Sequence, residues 1–158
     1  MDIVLYPNEV LKRKSEPVLE FDSALHQTLD EMAATMLKAS GLGLSAIQVS
    51  IPLSLFIMKD NKGKIHEFIN PVITDSEGTL VASEGCLSAP GVYLPIGRAE
   101  AVYVTYQDRN GEQRRLVAEG IEARIIQHEM DHLSGNFYFD KVNRALRKRA
   151  IAQLKKIR

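Results

Sequence analysis

Three observations in the sequence predict an α+β fold. An early stretch carries apolar residues at helical spacing, the middle of the chain is a series of short runs rich in β-branched residues, and two further helical patterns close it. That order lacks the strand–helix alternation of a parallel sheet. The strands are therefore expected to be short and mostly antiparallel, packed around a central helix, with an N-terminal helix and a C-terminal amphipathic helix.

Each element follows from its residues. After an extended entry segment, Asp22 and Ser23 supply capping side chains for a helix whose Leu25, Leu29, Met32, Ala33, Met36 and Leu37 share one face. The period stops at "ASGLG", where Gly41 and Gly43 end it. "LSLFIMK", "HEFINPVI" and "TLVAS" come next as strands, and "AVYVTYQ" and "EQRRLVA" flank "DRNG", a hairpin signature. Helical spacing returns over 120–134 through Ile121, Ile125, His128 and His132. A last amphipathic helix, opened by Asn143, carries Leu146, Ala150, Leu154 and Ile157.

A chain of 158 residues without repeats or linkers is expected to be one domain, burying roughly two-thirds of its unfolded surface. The net charge is zero but unevenly spread. Eight of the twenty Lys/Arg fall in 141–158, where there is no acid, leaving twelve against all twenty Asp/Glu in 1–140. This reads as a basic helix at about 141–158 on an acidic body. There is no secretory signal pattern and no apolar run of membrane-spanning length, which excludes a membrane role. The single cysteine, Cys86, excludes an internal disulfide and fits a reducing compartment. A soluble cytoplasmic protein is expected.

"EARIIQHEMDHLSG" carries the chemistry. On a helix, His128 and His132 lie one turn apart with Cβ atoms about 5–6 Å from each other, so both imidazoles can reach one ion. Glu129 sits beside that face, poorly placed as a ligand but well placed to take a proton from a water at the ion. The plainer reading is two partly buried histidines with ordinary hydrogen bonds. A hydrolytic metal needs a third protein ligand. Downstream of His132 the sole acid is Asp140, and in "HEMDHLSGNFY" the position of a third protease-type histidine is Tyr138. The third ligand must come from upstream, where "EGCLS" sets Cys86 between Gly85 and Leu87. A lone cysteine is usually a small buried hydrophobe; beside a site missing one ligand it becomes a candidate thiolate. "GLGLSAIQ" (41–48) lacks the third glycine of a dinucleotide loop and follows a helix, so no nucleotide cofactor is expected. It reads either as a helix C-cap running into a strand, or as a substrate-lining backbone that delivers Gln48, whose amide can donate to an oxyanion.

Taken in order, "GLGLSAIQ", "EGCLS" and "QHEMDH" resemble the peptide deformylase family, and the opening "IVLYPNEVLKRKSEPV" extends the likeness over nearly the whole chain. The resemblance implies a metal hydrolase that removes the formyl group from the initiator methionine of nascent polypeptides. It implies Cys86, His128 and His132 as ligands and Glu129 as general base and then acid. Gln48 and the backbone N–H of Leu87 are the implied oxyanion donors. The implied metal is Fe²⁺, with Ni²⁺, Co²⁺ or Zn²⁺ as replacements. The methionine pocket is expected from Ile121, Ile125, Leu42 and Leu87, and backbone pairing with substrate at Leu42, Gly43 and Leu44. Glu84, Arg98 and Asp131 are expected to brace the site. Two positions depart from the family pattern. Ser45 stands where alanine is usual, and Tyr93 where some members place a substrate-contacting arginine. The basic helix reads as a solvated face or as a salt-sensitive contact with ribosomal RNA. Two other functions compete: a metallopeptidase, which Tyr138 and the missing acids oppose, and a non-catalytic ribosome- or RNA-binding module, for which Glu129, Gln48 and all three ligands have no purpose.

Overall fold

The computed structural model describes residues 1–157. In chain order it contains α1 (Ser23–Lys38), β1 (Gly43–Ser45), β2 (Leu55–Lys59), β3 (Ile65–Glu77), β4 (Leu80–Cys86), β5 (Ala89–Arg98), β6 (Ala101–Gln107), β7 (Gln113–Glu119), α2 (Gly120–Leu133) and α3 (Arg144–Ile157). The expected α+β class holds. Five strands form an antiparallel sheet in the order β1-β2-β3-β6-β7, and β4 and β5 make a separate two-stranded ribbon.

Local chemistry accounts for most boundaries. The Asp22 carboxylate accepts from the Leu25 N–H to cap α1, and the Asn143 side chain accepts from Leu146 N–H at the start of α3. At "DRNG", Asp108 accepts from the N–H groups of Asn110 and Glu112 and closes the β6–β7 hairpin. Gly120, at φ +61°, lets the chain pass from β7 directly into α2. A β-bulge between Glu84 and Cys86 turns the end of β4 out of register with β5.

Three apolar clusters fill the interior. α1 packs Leu25, Leu29, Met32 and Met36 against β1 and β2. α2 packs Ala123, Ile126 and Leu133 against Phe56, Phe68, Val102 and Val104 of the sheet. β5 and α3 close on Phe137, Tyr138 and Phe139. Two features differ from expectation. β3 runs on to Glu77, past a register shift near Pro71, and β5 is a ten-residue strand despite Pro90, Gly91, Pro95 and Gly97. β5 pairs with β4 alone, so its prolines have a ladder to interrupt on one side and not on both.

Candidate active site

α2 buries one face in the sheet cluster, turns His128 and His132 toward the β4–β5 ribbon and Glu129 toward β1, and leaves all three nearly inaccessible to solvent. The two imidazole centroids are 5.1 Å apart, one helical turn as the spacing required. The β4 bulge carries Cys86 to this pair, with Sγ 3.4 Å from His132 Nε2. One ligand atom each from Cys86, His128 and His132 lies within 4.8 Å of the others. A tetrahedral ion with bonds of about 2.0–2.1 Å to nitrogen and about 2.3 Å to sulfur separates those donors by roughly 3.5 Å. The sulfur–nitrogen spacing thus fits a shared divalent ion, and a soft thiolate with two imidazoles is a donor set that transition metals accept.

Glu84 is the hub behind His128. Its Oε1 accepts from His128 Nδ1 at 2.6 Å and Arg98 Nη2 at 2.6 Å, and its Oε2 from Arg98 Nε at 3.1 Å and Arg124 Nη1 at 2.9 Å. Arg98 also reaches Asp131 Oδ2 at 2.6 Å. Burial pushes the Glu84 carboxyl up, but hydrogen bonds from His128 and Arg98 outweigh it and hold the pKa at about 2. With His128 Nδ1 committed to a carboxylate, its Nε2 is the atom left to ligate. Burial opposes protonation of both imidazoles. At His128 the Cys86 sulfur and Glu84 override it and raise the pKa, whereas at His132 burial and the His128 charge act together and lower it.

Glu129, 4% exposed, lies against β1. Ser45 Oγ is 2.8 Å from its Oε1 and 3.1 Å from its backbone oxygen. A Cβ on Gly43 would lie 2.6 Å from Glu129 Oε2 and 2.8 Å from Ile125 Cγ2, so the glycine allows the carboxylate to approach the β1 backbone. Burial raises the Glu129 pKa against the opposing pull of His128 and the Ser45 hydrogen bond. Gln48 sits in the 3₁₀ turn Ala46–Val49 that follows β1. Its carbonyl accepts from Ser45 N–H at 2.9 Å, which aims its NH₂ at Ser88 Oγ (3.0 Å) and Cys86 Sγ (3.5 Å). A cleft of about 500 Å³ is lined by Leu42, Ile121 and Ile125 together with Val117, Lys59 and Glu122, and its Ile125 wall adjoins Gly43, which Glu129 also approaches.

The comparisons with known proteins decide the family. Residues 1–148 match the family model of polypeptide deformylases. The chain belongs to the polypeptide deformylase family. The peptide deformylase of Wolinella succinogenes is 43% identical, covering 99% of this chain and 96% of that protein. That of Helicobacter pylori strain Shi470 is 40% identical over 99% of this chain and 94% of that one. The crystal structure of a peptide deformylase from Legionella pneumophila superposes with a TM-score of 0.96 at 36% identity, covering 99% of this chain and 94% of that one.

Within this deformylase fold the residues expected from sequence mostly converge. Cys86, His128, His132, Glu129 and Gln48 share one site, and Glu84, Arg98 and Asp131 form the bracing network. Leu42, Ile121 and Ile125 share the cleft, but Ile121 is 71% exposed and forms its outer rim. Leu87 packs against Gly41, where a Cβ would meet its side chain at 2.6 Å. Tyr93 is outside the cleft lining. It is 67% exposed and covers Gly85, where a Cβ would lie 2.7 Å from its ring. Tyr138, the residue in the third-histidine position, donates to Val92 O at 2.6 Å, with its ring 5.6 Å from that of His128. Sequence reasoning missed Arg124 and Ser88. The one clue to Arg124 is a basic residue one turn before His128 on the helix carrying the ligands.

Proposed function

We propose that this chain is a metal-dependent deformylase that hydrolyses the N-formyl amide of formyl-methionyl nascent peptides, releasing formate and a free α-amine. One observation carries the reading: the Cys86, His128 and His132 donors converge beside a Glu129 carboxylate that faces the β1 backbone, next to Ile125 of the cleft wall. A divalent ion held by those three side chains supplies Lewis-acid polarisation of the formyl carbonyl and makes water acidic enough to attack near neutral pH.

The chain's own residues do the rest. β1 ends the five-stranded sheet, so the backbone of Leu42, Gly43 and Leu44 can take the peptide as an added strand. The methionine side chain enters the cleft against Leu42, Ile121 and Ile125. Glu129 removes a proton from the attacking water and returns it to the departing amine nitrogen. Gln48 Nε2 and the Leu87 backbone N–H donate to the developing oxyanion. The longer, weaker Gln48–Cys86 contact is the one exchanged for that bond. Arg98, through Glu84, and Asp131 keep the ligand helix and the cysteine hairpin in fixed relation. Fe²⁺ is the ion we assign, with Co²⁺, Ni²⁺ and Zn²⁺ compatible with the same donors. We place the enzyme in the cytoplasm. The exposed Arg144, Lys148, Lys155 and Lys156 of α3 support a salt-sensitive contact with the ribosome. Among the described residues no helix is long and apolar enough to cross a membrane.

The test is formate release from formyl-Met-Ala-Ser by protein purified anaerobically and loaded with Fe²⁺, with Met-Ala-Ser as control. Formate without cleavage of the control is the expected result. A filled metal site that yields none overturns the assignment.

A further inference from the structure

We infer that Ser45 is a positioning residue for the proton transfer, holding one oxygen of the Glu129 carboxylate so that the other faces the substrate cleft. The inference rests on the reading that Glu129 moves the proton. Ser45 Oγ approaches Glu129 Oε1 at 2.8 Å, the shorter of its two contacts with that residue and the one to the carboxyl group. The partners are 84 positions apart in sequence, and both are buried. The opposite oxygen, Oε2, lies toward Gly43 and Ile125, and Ile125 lines the cleft.

Ser45 itself is firmly held. It pairs with Phe56 as the last residue of β1, and its N–H donates to Gln48 Oε1 at 2.9 Å. One residue therefore orients both groups proposed to touch the reacting amide, Gln48 through its backbone and Glu129 through its hydroxyl. A glutamate has three rotatable side-chain bonds, and fixing its carboxylate before substrate arrives removes that ordering from the chemical step.

The test compares Ser45→Thr with Ser45→Val in the Fe²⁺-loaded protein. The two side chains fill nearly the same volume and differ in the hydroxyl. If the extra methyl strains the site, both variants carry the same strain and their ratio still reads the hydroxyl. The expected result is a kcat for formyl-Met-Ala-Ser on the order of tenfold lower in Ser45→Val than in Ser45→Thr. KM is expected to stay within about twofold, because orientation of the proton carrier acts after binding. Equal kcat values, or a loss confined to KM, overturn the inference.

A second readout needs no turnover. The Glu129 carboxylate stretch, isolated by infrared difference against Glu129→Gln, is expected to shift between Ser45→Thr and Ser45→Val. An unshifted band overturns the positioning role. A shifted band in a protein that releases no formate overturns the deformylase reading alone.

Discussion

Replacing Glu84 by glutamine removes one charge and almost no volume, which makes it a sharp probe of the site. The carboxylate accepts from Arg98 Nη2 and His128 Nδ1 on one oxygen, and from Arg98 Nε and Arg124 Nη1 on the other. Whichever way the new amide is turned, its NH₂ meets two donors. Deleting one member of a buried ion pair costs about 3–5 kcal/mol. Arg98 keeps a second partner in Asp131 at 2.6 Å, so the lower end, about 3 kcal/mol, is expected. For a chain of this size that lowers Tm by about 6–12 °C. There is a second consequence at His128. The guanidinium donors cannot become acceptors but an imidazole nitrogen can, so the NH₂ is expected to turn to the Oε1 position, where His128 Nδ1 becomes the acceptor and the proton moves to Nε2, the nitrogen assigned to the ion. Metal affinity is then expected to fall about 10–100-fold. Circular dichroism melts at pH 7 and competition with a chelator of known affinity measure the two effects. Because the Glu84 pKa is held at about 2, the group is ionised throughout the assay range and pH does not confound the comparison. A Tm within about 2 °C of wild type, together with unchanged metal competition, refutes the hub argument.

The remaining predictions probe separate links. Glu129→Gln is expected to lower turnover by about 10²–10⁴ while the purified protein keeps its full metal content, measured by formate release beside elemental analysis; metal lost along with activity would make Glu129 a structural group instead. Gly135 has φ +78°, and a Cβ there would run into the Lys12 carbonyl oxygen. Gly135→Ala should therefore cost at least about 2 kcal/mol, seen as a lowered denaturant midpoint at unchanged slope. Asp60 is held at about 2, chiefly by its hydrogen bond with His66 and by the Lys64 backbone N–H. A depressed carboxylate stabilises the fold above its unfolded pKa of 3.8 and loses that contribution as pH falls toward 2. Asp60→Asn should accordingly lower Tm at pH 6 and converge with wild type near pH 2, and a constant difference across that range would contradict the linkage.

Elements with local signals were legible in the sequence. The Asp22 cap, the Asp108–Gly111 turn and the four-residue histidine spacing act within a few residues, and the chain folds there as the pattern predicts. β5 was not legible. Pro90, Gly91, Pro95 and Gly97 read as punctuation, and only a partner on one side alone makes them tolerable in a strand. The same division runs through the site. His128, Glu129 and His132 share a helix and announce themselves, while Cys86 became a ligand candidate through what the others lacked. Ser45 was visible as a departure from the family pattern, but the destination of its hydroxyl was not, because no periodicity links it to Glu129. Arg124 escaped notice because an arginine on a helix usually snorkels to solvent. This one instead spends its donors on Glu84 and on the carbonyls of Ile96 and Leu80.

The site's order follows from where its parts are anchored. Cys86 packs against the cluster of β5 and α3, its neighbour Leu87 against the cluster under α1, and Ile125 of the ligand helix against the sheet cluster. Consecutive residues of the cysteine loop are thus fixed to different cores, and the helix that faces them to a third. Small relative shifts of three packed bodies would separate donors that must stay about 3.5 Å apart to share an ion. Apolar packing is non-directional and does not by itself set such a distance. Glu84 does: it sits on the cysteine hairpin and binds His128 on the ligand helix directly, and Arg98 carries the same link on to Asp131. The ionic hub therefore converts three cores into one rigid frame, and its burial, expensive as stability alone, is explained by the precision it gives the ligands.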